Sequence, residues 1–485
     1  MTLTRPVATL RAGSVPGIPS PLQNARISRF LHADGVAANE EPAAGIASVK
    51  IEDGRIEVED SPAAGISAID AVLSWPRLSA PMRFNGSGSW RGEAVRISAE
   101  IGDGRAFFAG RQTRAELTLE SAPANIVFSG TTEASAPLHV VGALRVSAPS
   151  LKRALAWSDS PAIAVAPEGA FALTADLASA ATRLKLDNVS LSIEDSLGNG
   201  AIEFDLGQDV PLVAGTLAFG DLDFTPFVPA AIAPTIKAAG DMPAVETHFS
   251  GPFVVDLRLS AERAKLGPVA MTKAAATLNI RPEIAAFDLS DASALGGSLQ
   301  AGFRTSQAGG SAEVSFFGND IDAGLLADIL GTTRFRPSGR ATIAAMIRGP
   351  ASDWRELLDK GEGTVSVKLV GGSLDNLDLA GFMARLAQGG FFGLGETIGG
   401  SLPFQEAEFR AAIGNGLARI EKFEIVSHLA TLSAAGIAPL PGRGLAMSGV
   451  ARTPEDPADG GRRFFIGGSW SAPFFSSASS ATGLQ

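Results

Sequence analysis

The stretch from Val49 to Glu59 reads VKIEDGRIEVE and decides the fold class. Val49 and Ile51 alternate with charged residues, Asp53-Gly54 is typical of a tight turn, and the alternation then resumes. Successive side chains of a strand point to opposite faces, so this pattern gives one apolar and one charged face. The stretch therefore predicts a β-hairpin with one apolar face.

The same period of two recurs along most of the chain and predicts a protein built mainly of strands. The clearest further segments cover residues 95–101, 117–119, 184–206, 365–369 and 409–425. Turns are expected where glycines follow or interrupt them, at residues 102–104, 197–200, 371–372 and 414–416. In the last segment the alternation slips by one residue before Phe423, as a β-bulge requires.

Helical patterns are few and short, and we expect them at residues 21–32, 147–157, 320–330, 351–360 and 377–386. Asn319 or Asp320 is the expected cap of the third of these helices, and Ser352 or Asp353 that of the fourth. A handful of short helices is too few to cover the apolar side of such a sheet, which must close on itself or cover a ligand. The expected fold class is mainly β: an elongated, curved, mostly antiparallel sheet that forms an apolar groove, with a few short helices.

The composition supports an apolar ligand and excludes several classes of function. Hydrophobic residues make up 45% of the chain and charged residues only 19%, against a usual charged share of about a quarter. The net charge of −11 has the wrong sign for a protein that neutralises a nucleic-acid backbone. Because cysteine is absent, disulfides, thiolate nucleophiles and iron–sulfur clusters are excluded.

Residue types used in catalysis or metal binding do not occur in a known pattern. The four histidines lie far apart, at positions 32, 139, 248 and 428, without a metal-binding spacing. Asp221 and Asp223, like Glu57 and Glu59, share a strand face, but solvent-facing sheets commonly carry such pairs. We therefore predict a protein that is not an enzyme, with no catalytic residue, metal site or cofactor.

One basic pair, Arg462-Arg463 beside Phe464-Phe465, fits contact with an anionic surface. A solvated strand end is the simpler interpretation of a lone basic pair, and both remain open.

The Pro-rich stretch from Phe224 to Pro243 is the expected joint between two parts of the chain. Residues 1–235 are then an N-terminal half, residues 236–475 a C-terminal region, and residues 476–485 a Ser-rich disordered tail. The first residues lack the apolar core of a signal peptide, and no stretch approaches the length of a transmembrane helix. The chain as given is expected to lack both.

From about residue 255 to 475, the succession of motifs resembles the C-terminal region of the AsmA family of bacterial envelope proteins. In order, the motifs are DASALGGSL at 291–299, DIDAGLLADIL at 320–330, RPSG at 336–339, GGSLDNLDL at 371–379, PF at 403–404, IGNGL at 413–417 and GSW at 468–470. Residues 49–59 and 148–157 are also similar to segments of the family, so the first half resembles a truncated AsmA-type module.

The resemblance implies a periplasm-facing protein whose full-length form is anchored in the inner membrane. Its groove is expected to bind or conduct phospholipids between the inner and outer membranes and so to support outer-membrane biogenesis. Expected partners are phospholipid acyl chains, the membrane through a missing N-terminal anchor, and envelope proteins, but no nucleic acid. The alternative is a non-enzymatic structural or assembly factor for outer-membrane proteins, without direct lipid binding and with its apolar faces paired in β-sandwiches.

Candidates for the groove lining follow from the alternation in two of the C-terminal segments. The candidates should share one face, while Lys368, Arg410 and Glu424 should face solvent. They are Val365, Val367, Leu369, Ile413, Ile420, Phe423 and Ile425.

Overall fold

A computed structural model describes thirteen ranges of the chain: 1–10, 48–58, 65–134, 138–158, 169–225, 254–306, 310–331, 336–350, 354–397, 399–440, 442–456, 460–470 and 472–477. The helix expected at 21–32, the Pro-rich joint from residue 226 on, and the boundary expected after residue 235 lie outside these ranges.

The fold is mainly β, and its strands run mostly antiparallel, as the period of two predicted. The 28 strands are β1 (Thr2–Thr4), β2 (Val7–Leu10), β3 (Ser48–Val58), β4 (Ile66–Ser74), β5 (Met82–Trp90), β6 (Glu93–Ile101), β7 (Thr113–Ser121), β8 (Asn125–Glu133), β9 (His139–Ala148), β10 (Phe171–Ala180), β11 (Arg183–Ile193), β12 (Ser196–Asp205), β13 (Leu212–Asp223), β14 (Val254–Leu266), β15 (Val269–Arg281), β16 (Ile284–Ala294), β17 (Gly297–Ser306), β18 (Ser311–Asp322), β19 (Arg336–Pro337), β20 (Arg340–Pro350), β21 (Glu362–Asp375), β22 (Phe391–Gly393), β23 (Ser401–Gly414), β24 (Leu417–Val426), β25 (Thr431–Pro439), β26 (Gly444–Arg452), β27 (Arg462–Ser469) and β28 (Ala472–Ser477). Because β28 runs to Ser477, the first two residues of the predicted tail are strand.

Short helices interrupt the strands. In the described part of the chain they are α1 (Gly104–Phe108), α2 (Leu151–Trp157), α3 (Ala323–Ile329), α4 (Trp354–Lys360), α5 (Leu379–Gln388) and a 3-10 helix (Leu394–Thr397). Helices α2 to α4 fall within predicted segments, and α5 overlaps the segment predicted at 377–386 but ends two residues later. Helix α1 was not predicted, because its five residues are too few to show a helical period.

Both caps predicted for α3, Asn319 and Asp320, are wrong. Asp322 caps this helix, and its Oδ1 accepts hydrogen bonds from the backbone N–H of Gly324 at 2.8 Å and of Leu325 at 3.0 Å. Asp320 instead forms an ion pair with Arg340 at 2.7 Å. The caps expected for α4 lie outside the described residues.

The chain forms two compact units, Met1–Gly220 with Ser250–Leu257 and Asp221–Phe249 with Arg258–Gln485. In the first unit, β1 and β2 both pair in parallel with β3. From β3 to β13, each strand pairs antiparallel with the next strand in the sequence. Neighbours in sequence are therefore neighbours in space.

The hairpin predicted at the quoted stretch is wrong, because its described residues, 49–58, lie in the single strand β3. Asp53 takes a left-handed backbone conformation (φ 53°), and the register with β4 shifts between Ile51 and Gly54. The dipeptide is thus a bulge, which kinks the strand without reversing it. The parallel strands β1 and β2 pair with the two halves of β3 on either side of this kink.

Three other turns are not found at the residues where the sequence predicted them. The β11–β12 hairpin is present, but its turn is at Glu194-Asp195 and residues 197–200 lie within β12. Gly371, with φ 58°, lies within the continuous strand β21. Residues 102–104 lead into α1, which Asp103 caps. The turn at Asn415-Gly416 is present as predicted, with both residues at positive φ.

In the second unit, the ladder from β15 to β28 also follows the sequence, except at two short strands. Strand β19 pairs with β21, and β22 pairs with the last strand, β28. Strand β22 follows α5, so this pairing keeps the helix beside the strands that come after it. One apolar core joins α5 and β22 to β23–β28, and it includes Phe382 of α5. The ring of Phe382 contacts those of Phe392, Phe464 and Phe475 edge to face, with centroids 5.8, 5.6 and 5.3 Å away.

We expect Asp378→Ala to lower the free energy of unfolding by about 1 kcal/mol. Asp378 caps α5, and its Oδ1 accepts the N–H of Gly381 at 3.0 Å. Urea unfolding measures this loss, and Asp378→Asn, which keeps an oxygen acceptor, is the matched control. An alanine variant as stable as the parent would contradict the role of this cap.

Candidate functional site

The seven candidate residues lie on one face of the second unit, which we call the second-unit apolar face. Six of them fall in cross-strand rows on β21, β23 and β24: Val365–Ala411–Ile420, Val367–Phe409–Phe423 and Leu369–Ala407–Ile425. Ile413 lies on the same face, opposite Gly363 and Ala418. Residues directly opposite in an antiparallel pair share a face, so these rows are contiguous.

A bulge keeps the three rows in phase. Arg410 pairs with Lys422 but Ala411 pairs with Ile420, so Glu421 is the extra residue. Without it, Ile420 and Phe423 would point to opposite faces. The slip in the alternation predicted this bulge.

The reverse face of the same strands is charged. Lys368, Glu408 and Glu424 lie opposite one another on β21, β23 and β24. The Lys422 Nζ lies 2.7 Å from Glu408 and 2.9 Å from Glu424, and Arg410 also pairs with Glu408. Hydrogen bonds from Lys422 and then Arg410 hold the pKa of the Glu408 carboxyl below its ordinary value. Lys368 pairs with Glu406 on this face at 3.1 Å, and we call these ion pairs together the charged ladder.

The second-unit apolar face is not equally accessible along its length. Ile420 and Ile425 are each only 5% exposed and belong to the core around α5, and Ile413 and Phe423 pack against that core. Val367 instead packs against the cluster around Ile321, whereas Leu369 packs against both clusters. The apolar core that includes α5 therefore buries the β24 side of this face.

The first unit carries a larger apolar face that the candidate list missed. Two rows cross seven strands, from β4 to β10, and we call them together the first-unit apolar face. The rows are Leu73–Phe84–Ala99–Leu117–Phe128–Leu144–Ala175 and Ala71–Gly86–Ile97–Leu119–Ile126–Val146–Leu173. The alternation at 95–101 and 117–119 indicated parts of it, but cross-strand register was needed to join them.

Most of this first-unit apolar face is only half-buried. Phe84, Ile97, Leu119 and Ile126 are intermediate in exposure, and Leu117 is 38% exposed. The reverse face of the same strands carries the row Val72–Asn85–Ser98–Thr118–Val127–Arg145–Thr174. A shallow depression of about 420 Å³ also lies against these strands, and most of its lining residues are polar or charged, although Gly86 and Ile97 contribute to it. The reverse face is therefore more polar than the first-unit apolar face, although it includes Val72 and Val127.

Phenylalanine rings lie over glycines at several points on these faces. A Cβ added to Gly130 would meet the Phe128 ring at 2.7 Å, and one added to Gly142 would meet it at 2.9 Å. The ring therefore occupies the space above both glycines and lies along the sheet. The same arrangement recurs at Phe84 over Gly86, Phe219 over Gly198 and Phe464 over Gly449.

The carboxylate pair considered for acid–base chemistry is used in ion pairing. Asp221 accepts a hydrogen bond from Arg263 Nε at 2.6 Å, which lowers the pKa of its carboxyl, and Asp223 pairs with Lys265 at 2.9 Å. Within the described ranges, no group of three His, Cys, Asp or Glu side chains is placed to hold a metal ion. Nor is any helix in those ranges long and apolar enough to cross a membrane.

Comparisons of the chain with models of known families, with curated proteins and with solved structures found no match. The resemblance to the AsmA family thus rests on the order of sequence motifs alone and stays a prediction.

The lowered pKa of Glu408 predicts a pH dependence of stability. A carboxyl with a depressed folded-state pKa stabilises the fold above its unfolded pKa, and this contribution is lost as the pH falls through the folded value. Glu408→Gln should therefore unfold with a weaker dependence on acid pH than the parent does, measured by urea titration at several acid pH values. Glu421→Gln, in the bulge and outside the charged ladder, is the control. Equal acid sensitivity of the parent and Glu408→Gln would contradict the ladder's contribution.

Proposed function

We propose that the protein binds phospholipid acyl chains on the apolar faces of its sheet and conducts phospholipids between the inner and outer membranes. In this proposal it supports outer-membrane biogenesis without catalysing a reaction. The observation that carries it is the first-unit apolar face, which is continuous over seven strands although most of its residues are only half-buried.

The dimensions of this face suit an acyl chain. Adjacent strands lie about 4.8 Å apart, so six spacings span roughly 29 Å across the strands. That span is close to the hydrocarbon thickness of a bilayer, about 30 Å. Each apolar row therefore offers enough length for extended acyl chains lying across the strands.

The energetics also favour an apolar occupant. A half-exposed apolar side chain gains about 25 cal/mol for each Å² that a ligand removes from water. The rows contain leucine, isoleucine and phenylalanine side chains that an acyl chain can contact together, whereas their backbone hydrogen bonds are already made within the ladder. Binding therefore needs no rearrangement of the sheet.

The proposed cellular location rests on the order of the sequence motifs. The AsmA resemblance supports a periplasm-facing protein, anchored in the inner membrane in its full-length form and working with other envelope proteins.

A second candidate is a structural or assembly factor for outer-membrane proteins that does not bind lipid. The closed core around α5 favours it, because Ile420 and Ile425 lie within a packed interior there, as in an ordinary globular domain. The two candidate functions differ in one respect: the half-exposed rows of the first unit contact phospholipid acyl chains in the first and no lipid in the second.

The variant Leu117→Asp separates the candidates. Leu117 is 38% exposed, so a carboxylate at this position can reach water, and we expect the free energy of unfolding to change by no more than about 1 kcal/mol. The charge should nevertheless block acyl chains at that row, so the variant should co-purify with much less phospholipid than the parent. Lipid extraction and native mass spectrometry measure this loss.

The matched control is Thr118→Asp, which places the same carboxylate one residue along, on the reverse face. It should retain the parent's phospholipid. A parent that carries no phospholipid would overturn the proposal and favour the assembly factor. Equal lipid loss in both variants would overturn the assignment of the face.

A further inference from the structure

The outer side of the last strands differs from the reverse face of the strands before them. Strands β25 to β28 and β22 contain no aspartate or glutamate. Pairing places the row Ala435–Ser448–Phe465–Ser476–Phe391 on the side away from the α5 core. We call this side the outer C-terminal face.

An antiparallel sheet packed on a core normally turns polar side chains to water. Strands β21, β23 and β24 of the same unit follow this rule with their charged ladder. The outer C-terminal face departs from it, because small and apolar residues replace the charges. The departure begins at β25, where Ile437 lies on the outer side and is 42% exposed.

Aromatic residues concentrate at one edge of this face. Phe391 is 79% exposed and Phe465 is 37% exposed. The rings of Phe391 and Phe474 meet edge to face with centroids 5.8 Å apart. A Cβ at Gly467 would meet the rings of Phe474 and Phe465 at 2.7 and 2.8 Å, so both rings lie over this glycine. The three rings thus form a contiguous apolar ridge on an open surface.

Arginines border the ridge at both strand ends. Arg463 lies two residues before Phe465 on β27 and is exposed, and Arg452 ends β26. At the opposite end, the backbone N–H of Trp470 donates to the carbonyl of Arg443 at 2.8 Å. Trp470 is 46% exposed, and its indole N–H donates to the carbonyl of Gly444 at 2.7 Å. Among the described residues, the carboxylates near this region lie outside its strands: Glu455 and Asp456 follow β26, and Glu396 accepts the N–H of Gly393 at 2.8 Å and pairs with Arg385 at 2.7 Å.

We propose that the outer C-terminal face docks on the surface of a lipid bilayer that contains anionic phospholipids. Exposed aromatic rings suit the region between headgroups and acyl chains, and arginines pair with lipid phosphates. Charge complementarity favours this occupant over a second copy of the chain. In a symmetric contact the face would meet itself, and it contains no carboxylate to pair with its arginines. The inference goes beyond the proposed function, which concerns the inner apolar faces.

Flotation with vesicles tests the docking. The purified chain is mixed with vesicles of phosphatidylcholine, with or without phosphatidylglycerol, and the bound fraction is measured at low and high salt. We expect binding to the vesicles with phosphatidylglycerol, weakened by salt. The double variant Phe391→Ser with Phe465→Ser should weaken binding about tenfold or more, because two exposed rings no longer enter the bilayer.

Control variants distinguish binding through the outer C-terminal face from nonspecific binding to membranes. Leu197→Ser removes another exposed apolar side chain, 65% exposed, from the first unit and should bind like the parent. Arg463→Gln should weaken binding only to vesicles with phosphatidylglycerol. Lys368→Gln, which removes a charge from the charged ladder, should bind to both kinds of vesicle like the parent.

Two outcomes would overturn the proposal. One is equal flotation of the parent and the double phenylalanine variant, or no flotation of either. The other is a dimer of the parent in size-exclusion chromatography that the double variant abolishes, which would assign the face to a second copy. Phospholipid extracted from the same preparations is measured separately, so docking can fail while acyl-chain binding holds, and the reverse.

Discussion

An antiparallel sheet with one apolar face must keep that face from water, and the arrangement of this protein follows from that constraint. Backbone hydrogen bonds fix the strands into ladders but do nothing for the side chains above them. Each face therefore needs a cover, whether a helix, another part of the sheet or a ligand. Where the cover is present, as at α5, the residues beneath it are almost fully buried. Where no described element supplies it, as across β5 to β7, the same types of residue remain half-exposed.

The position of α5 in the strand order explains why one helix can cover the core of the second unit. Helix α5 follows β21 directly and is held in place by β22, which returns to pair with the last strand. A single ten-residue helix can therefore serve several strands, because those strands gather around it. Helices α1 and α2 are five and seven residues long, and neither spans a comparable width.

The sequence allowed the strand content, the face of each candidate residue and the bulge at Glu421 to be predicted, because all three follow from local alternation. It did not distinguish Asp53-Gly54 from Asn415-Gly416. Both dipeptides carry the same turn signal, and both first residues adopt positive φ. At Asn415 the chain reverses, whereas at Asp53 it continues, because β1 and β2 hold both halves of β3 in one direction. That pairing joins residues some fifty positions apart, and no local pattern encodes it. The larger apolar face was missed for a related reason, since it exists only once the strands are in register.

The phenylalanine rings that lie over glycines have a mechanical consequence. A ring standing upright on a sheet would project from the surface. A ligand moving from strand to strand would then meet a steric barrier at each ring. A ring that lies over Gly130 and Gly142 instead fills the space left by their missing side chains. The surface is therefore more nearly level. On such a surface the energy barriers between neighbouring positions are small compared with the total adhesion. In the proposed role, a lipid would be held firmly as a whole while remaining free to slide.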